Sequence, residues 1–524
     1  MPKFCPKNYP QDIKNPGPVT KQPAIDSLIP TRLLAKNVLW NLTGQTIPLI
    51  VALVSIPVLI RHLGTERFGI LSLVWMVIGY FVLFDIGLGR ALTKLVAERI
   101  ATPEAEDVAR LTWTALFLMA VLGLMGAMLL ILAAPLLVEN ILKIPLELQY
   151  ETTRAFQVLA LSVPVIISTA GLSGVLQAHQ RFDLVNMVRI PAGVYKFLGP
   201  LFVLPFSSSL VLVVTVLVVG RFIVWSVYLC LCLKIVPQLR QFSLNRQLAL
   251  QMLGFGGWMT VTNVIGPLMV YVDRFLIGAV VSMSAVAYYT TPYELVTKLW
   301  VLSGSLITVL FPAFSTSLAQ DPKRVASLFD NSMKFLLILL FPISLILLTM
   351  ASEVLTLWLG HDFAEQSCFV LQWLAAGVFI NCFAQIATAF LQGAGRPDLT
   401  AKLYLLEVPI YLPALWYLLA AAGIRGAAIA WTGRVVLDTI LLYALTHRMM
   451  AKYFQPIGRN LTLIAVLMPL LVLGGFLTSV KVKMVFLSGG LIAFAWLVWH
   501  RVLTAEDKSL LVRYMPFVST AKSR

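Results

Sequence analysis

The chain has 524 residues, 59% of them hydrophobic and only 12% charged, with 40 lysines and arginines against 24 aspartates and glutamates. That composition, with apolar runs of about 20 residues recurring to its end, excludes a soluble globular protein and predicts an all-α polytopic membrane protein. The formal charge of +16 reads as a topological bias with some attraction to anionic lipid, not as a nucleic-acid footprint.

In chain order, residues 1–35 come first, with seven prolines among the first thirty, and predict a disordered cytoplasmic tail. Runs long enough for a hydrocarbon core of roughly 30 Å predict fourteen helices. Twelve lie near 36–60, 68–89, 111–137, 156–178, 184–206, 209–235, 252–281, 285–312, 334–358, 368–393, 402–422 and 425–446. A last pair lies near 460–479 and 484–503, before a cytoplasmic tail at 504–524.

Two segments repeat. Leu176-Gln177-Ala-His-Gln-Arg181-Phe-Asp183-Leu184 recurs as Leu391-Gln392-Gly-Ala-Gly-Arg396-Pro-Asp398-Leu399, and in the same register Gln157, Leu159, Ala160 and Val163 meet Gln372, Leu374, Ala375 and Val378. With a two-residue slip, Gly220-Arg221 falls on Gly433-Arg434. The chain therefore reads as two parallel six-helix repeats, 36–236 and 252–447, joined by a cytoplasmic linker at 237–251, with helices 460–503 outside the duplication. Such repeats predict two lobes around a central cavity that opens by rocking.

With the amino terminus inside, inner segments hold 28 of the 40 basic residues and outer loops hold seven, so both termini are expected to be cytoplasmic. The other five, Lys196, Arg221, Arg274, Lys298 and Arg434, fall within predicted spans. A charge there costs about 2.5–3.5 kcal/mol on insertion scales, so such residues usually face a cavity or pair internally. Lys196, Arg221, Lys298 and Arg434 lie roughly 14–20 Å from their helix ends, near the midplane, and point to an anionic substrate. The rival is internal pairing, Glu294 with Lys298 and Arg434 with Asp438, each spaced i, i+4. Asp273 and Arg274, toward the outer end of their helix, read as a gate, a structural pair or an exposed pair. For ion coupling the available carboxylates are Asp85, Asp273, Glu294, Glu407 and Asp438, although Asp85 is better explained by capping or by Arg90. Tyr271, Tyr288, Tyr289 and Tyr293 read first as an interfacial aromatic belt. The run from Ala420 to Ala428 reads as a close helix-packing face.

Five cysteines and five histidines show no metal-ligand spacing, there is no G-x-x-x-x-G-K-[ST] loop, and no predicted loop can house a catalytic domain. Neither a metal nor another cofactor is expected, and the chain does not read as an enzyme.

The chain resembles the polysaccharide transporter branch of the multidrug/oligosaccharidyl-lipid/polysaccharide exporter superfamily, which includes the O-antigen type flippases. The resemblance rests on Asn37, Leu63-Gly64-Thr65-Glu66-Arg67-Phe68-Gly69, Asp85-Ile-Gly87-Leu88, the Leu-Gln pairs at 176 and 391, and the fourteen-helix layout. It implies movement of a polyprenyl-diphosphate-linked oligosaccharide from the inner to the outer leaflet of the cytoplasmic membrane. A cationic cavity would take the diphosphate, with glycosyltransferases or a polymerase of the same pathway as partners. The alternatives are an ion-coupled multidrug exporter, which would favour an acidic, aromatic cavity, and a membrane glycan polymerase or ligase, which would need larger outer loops.

Overall fold

The computed structural model describes residues 31–83, 87–100, 107–255, 257–317, 322–450, 457–504 and 507–508. Among them every regular element is helical. The first part runs α1 (Thr31–Leu83), α2 (Leu88–Ile100), α3 (Asp107–Leu136), α4 (Leu146–Ala160), α5 (Val163–Ala178), α6 (Phe182–Val203) and α7 (Leu210–Ile235). After α8 (Arg246–Phe255) come α9 (Gly257–Val280), α10 (Met283–Val296), α11 (Trp300–Ser317), α12 (Pro322–Thr349), α13 (Ala351–Leu359), α14 (His361–Gly393) and α15 (Pro397–Met450). The chain closes with α16 (Ile457–Gly475) and α17 (Val480–Leu497). Eight described helical stretches are long and apolar enough to cross a membrane. Their outer faces are apolar too: on α3, Met125, Leu129 and Leu132 are each about two-thirds exposed, as expected where the solvent is lipid.

Local chemistry explains where helices break. Gly64 divides α1 into two arms with φ 78°, a region open to glycine but costly for other residues. Ala422 and Gly423 (φ 57°) divide α15, and a Cβ on Gly426 would collide with the Leu418 carbonyl, so the second arm folds back against the first. Within the small-residue run 420–428, Ala422 and Gly423 make the turn, while Gly426 lies against the Leu418 backbone of the other arm and Ala427 and Ala428 are fully buried, as a close helix-packing face requires. A helix expected at 156–178 starts instead at Leu146 and is interrupted at Leu161–Ser162, because Pro164 lacks an N–H and enters at the first turn of α5. The outer loop expected at 138–155 is correspondingly shorter. α2 is a short amphipathic helix in a stretch expected to be loop.

The elements up to α7 pack largely among themselves, α1 on α6, α3 on α5 and α4 on α7; those from α9 do the same, α14 on α15, α11 and α12. The repeated sequence segments adopt the same turn. Gln180 (φ 57°) and Gly395 (φ 73°) precede Arg181 and Arg396, whose N–H groups donate back to Leu176 and Leu391 at 2.9 and 3.0 Å. Each arginine then grips the aspartate two residues on, Arg181 with Asp183 and Arg396 with Asp398. The Arg181 hydrogen bonds hold the Asp183 carboxyl below its ordinary range. These pairs are exposed, so they order the turn more than they stabilise the fold.

The last two helices and the segment after them attach to α12, α13 and α14 through polar clamps. Gln372 donates to the Gly475 carbonyl at 2.9 Å, Lys483 meets Glu353 at 2.9 Å, and Lys334 meets Asp507 at 2.6 Å. Lys334 is 3% exposed, so its charge depends on that partner. Asp507→Asn is expected to lower thermal stability by about 2 kcal/mol, the scale of a charged hydrogen bond, measured by the melting of the purified protein. An unchanged melting temperature would remove the clamp from this account.

Candidate functional site

Lys196, on α6, has its Nζ 5.1 Å from the Trp75 ring and 5.0 Å from the Phe197 ring. The charges acting on it come from Glu294, Lys298, Arg221 and Arg274, so side chains of α6, α7, α9 and α10 share one electrostatic field. Within that field, Lys298 Nζ reaches Glu294 Oε2 at 3.2 Å, the i, i+4 pair expected from spacing. Both are about a third exposed or slightly less, which leaves them open to a ligand.

Arg221 lines a narrow cleft of about 20 Å³ together with Tyr195, Lys196 and Gly220. A Cβ on Gly220 would strike the Tyr195 ring, whose hydroxyl donates to the Val216 carbonyl at 2.9 Å. Glycine is therefore required before Arg221 so that Tyr195 can brace α6 against α7. No ion pair holds Arg221 among the described residues.

Its repeat counterpart is placed differently. Arg434 lies 3.7 Å from Glu407 and 5.4 Å from the Tyr411 ring centre, not paired with Asp438 as the i, i+4 spacing suggested. The reason is the fold-back of α15, which brings a carboxylate from the opposite arm to the guanidinium.

Asp273 and Arg274 are 0% and 2% exposed, which rules out an exposed pair. Asp273 accepts from the Tyr289 hydroxyl at 2.7 Å and from the Arg274 backbone N–H at 2.8 Å. The Arg274 guanidinium lies 4.0 Å from the Tyr293 ring centre and 5.3 Å from that of Tyr271. Tyr289 and Tyr293 are buried, so in place of the aromatic belt expected there Tyr289 holds Asp273 while Tyr293 and Tyr271 cradle Arg274. Composition alone did not separate the two, because both uses place tyrosines near the end of an apolar run. Asp85 lies outside the described residues, and among those described no group of histidine, cysteine and carboxylate side chains could hold a metal.

One end of the molecule is closed between its two parts. Thr65 and Ser284 hydroxyls meet at 3.1 Å, the Lys143 N–H donates to the Gly278 carbonyl at 2.9 Å and its Nζ to that of Val280, and Trp358 Nε1 donates to the Leu53 carbonyl at 2.6 Å. A Cβ on Gly69 would collide with the Met283 carbonyl. Arg67 holds Glu151 at 3.3 Å, and Glu151 also accepts from the Leu210 N–H. The segment Leu63–Gly69 thus builds the closure, a role its sequence did not disclose.

Residues 34–318 match the family described as "Polysaccharide biosynthesis protein". The "Putative O-antigen transporter" of Shigella flexneri is 30% identical over 424 residues, 80% of this chain and 99% of that protein. A "Probable low-salt glycan biosynthesis flippase" of Haloferax volcanii is 24% identical over 194 residues, 37% of this chain and 41% of that protein. Among solved structures, an inward-facing multidrug resistance MATE family transporter of the MOP superfamily superposes with a TM-score of 0.67 at 14% identity, over 79% of this chain and 98% of the other. A MOP superfamily transporter from Pyrococcus furiosus gives 0.61 at 13% identity, over 81% and 96%. The fold is that of these transporters.

Proposed function

The chain belongs to the polysaccharide biosynthesis protein family, and on that premise we propose that it is a flippase. Its cargo is a polyprenyl-diphosphate-linked oligosaccharide, carried across the cytoplasmic membrane by alternating access for cell-surface polysaccharide synthesis. The observation that carries this reading is the meeting of Lys196, Lys298 and Arg221 in one field with Glu294 as their carboxylate, Arg274 nearby being matched by Asp273, which leaves an excess of positive charge inside an apolar bundle. A diphosphate supplies the missing negative charge, and arginine can hold it with paired hydrogen bonds.

Lysine and arginine bias makes the closed end the outer one and both termini cytoplasmic, so this state receives cargo from the cytoplasm. The head group enters beside Arg221 and Lys196, while the polyprenyl chain stays in lipid along the apolar helix faces. Parting the Thr65–Ser284 and Lys143 contacts then releases it outward. The lobes at 36–236 and 252–447 rock about this site, and no step needs a catalytic group or cofactor. Glycosyltransferases or a polymerase of the same pathway are the partners this cargo implies.

Arg221→Ala is expected to slow exchange of a fluorescent lipid-linked oligosaccharide in liposomes by about 10- to 100-fold, the equivalent of roughly 1.5–3 kcal/mol for a charged hydrogen bond. A folded Arg221→Ala protein flipping at the native rate would sink the assignment of this cleft.

A further inference from the structure

The interior between α9, α10 and α15 holds three carboxyl groups, Asp273, Glu407 and Asp438, and two guanidinium groups, Arg274 and Arg434. Glu407 and Asp438 are 1% and 5% exposed and face each other within hydrogen-bonding reach across the folded-back arms of α15. Yet both Glu407 oxygens and Asp438 Oδ1 accept no hydrogen bond. Two ionised carboxylates have no proton to place between them, so their contact is repulsive; with one proton the same contact becomes a hydrogen bond. Counting charge gives the same answer. Three carboxylates against two guanidiniums leave one negative charge uncompensated in an apolar interior, and one proton cancels it.

The other groups facing the pair do not supply that proton in its place. From α9 come Asp273, already satisfied by Tyr289, and Arg274, held between tyrosine rings. From α10 come Tyr289 and Tyr293, and α15 itself adds Tyr404, Tyr411 and Arg434. The acidic residues and the histidine of α14, Asp362, Glu365 and His361, all lie in its first five residues.

We propose that Glu407 and Asp438 form a proton-binding site that shares one proton in the resting protein, and that a second proton strips Arg434 of its counter-ion and frees it for an anion. Resting on the flippase reading for the anion's identity, this makes proton uptake and diphosphate binding favour one another, since linkage is reciprocal. Arg434, 3.7 Å from Glu407, is held by an ion pair too long for a hydrogen bond and so is easily reassigned.

The site is tested first without any cargo. The purified protein at neutral pH is treated with dicyclohexylcarbodiimide, which attacks protonated carboxyls in apolar surroundings, and the labelled peptide is identified by mass spectrometry. Label on Glu407 or Asp438, none on the lysine-paired Glu294, and a neutral-carboxyl infrared band lost in Glu407→Gln are expected. Absence of both label and band in folded wild-type protein overturns the site, whether or not the protein flips lipid. The link to Arg434 is read by calorimetry with inorganic pyrophosphate in two buffers of different ionisation enthalpy. Binding with proton uptake that falls in Glu407→Gln supports it; binding without proton uptake, or no binding, overturns it. Because labelling and infrared involve no lipid-linked sugar, loss of flipping with both signals intact would count against the flippase reading alone.

Discussion

Gly69→Val is expected to abolish flipping while leaving the protein folded and in the membrane. The Gly69 Cα lies so close to the Met283 backbone that any Cβ would meet its carbonyl, and a main-chain atom cannot rotate away as a side chain can. Beside it, Thr65–Ser284 needs the same approach of α1 to the α9–α10 turn, and Lys143, between α3 and α4, closes on the Gly278 and Val280 carbonyls of the same turn region. A valine would therefore prop this end open and remove one of the two states that alternating access requires. Labelling of a cysteine placed at Ser284 by a membrane-impermeant thiol reagent checks it: the valine variant should react faster than the otherwise identical Gly69 protein. Equal reactivity with normal flipping would show that the contact is not a gate.

The second large effect concerns the charge that receives cargo. Lys196→Ala combined with Arg221→Ala removes the two cations that share the narrow cleft beside α6 and α7. Each charged hydrogen bond is worth roughly 1.5–3 kcal/mol, so together the losses correspond to at least about 100-fold in rate, provided the two act on one head group. Lys196→Arg should retain much of the activity because it keeps the charge, whereas Lys196→Met keeps the packing on Trp75 and Phe197 but not the charge. Equal activity for these two variants would mean that Lys196 serves packing alone.

Much of this was legible in the sequence because the membrane imposes length and polarity on every span. The apolar runs marked where helices lie, and the i, i+4 spacing of Glu294 and Lys298 placed that pair on one face. What sequence could not disclose is who arrives from elsewhere. Arg434 pairs with Glu407 and not Asp438 because the break at Ala422–Gly423 folds one arm of α15 onto the other, a tertiary event with no local signature beyond two glycines. Tyr289 and Tyr293 looked interfacial by position, but α9 presents Arg274 and Asp273 to them, and a buried guanidinium needs an aromatic surface more than the membrane boundary does. The seven residues from Leu63 to Gly69 carried only a resemblance until Gly69 was seen against Met283.

The central claim is movement of a lipid-linked oligosaccharide by the cationic site between the two parts of the chain. Its most direct test places purified wild-type protein and the Lys196→Ala/Arg221→Ala variant in liposomes with a fluorescent polyprenyl-diphosphate oligosaccharide. Access of a membrane-impermeant quencher is then followed with time. The account predicts rapid protein-dependent loss of the protected fluorescence with wild-type protein and a rate near that of empty liposomes with the variant. Folded wild-type protein that leaves the protected pool unchanged, or a variant that flips as fast as wild type, would contradict it.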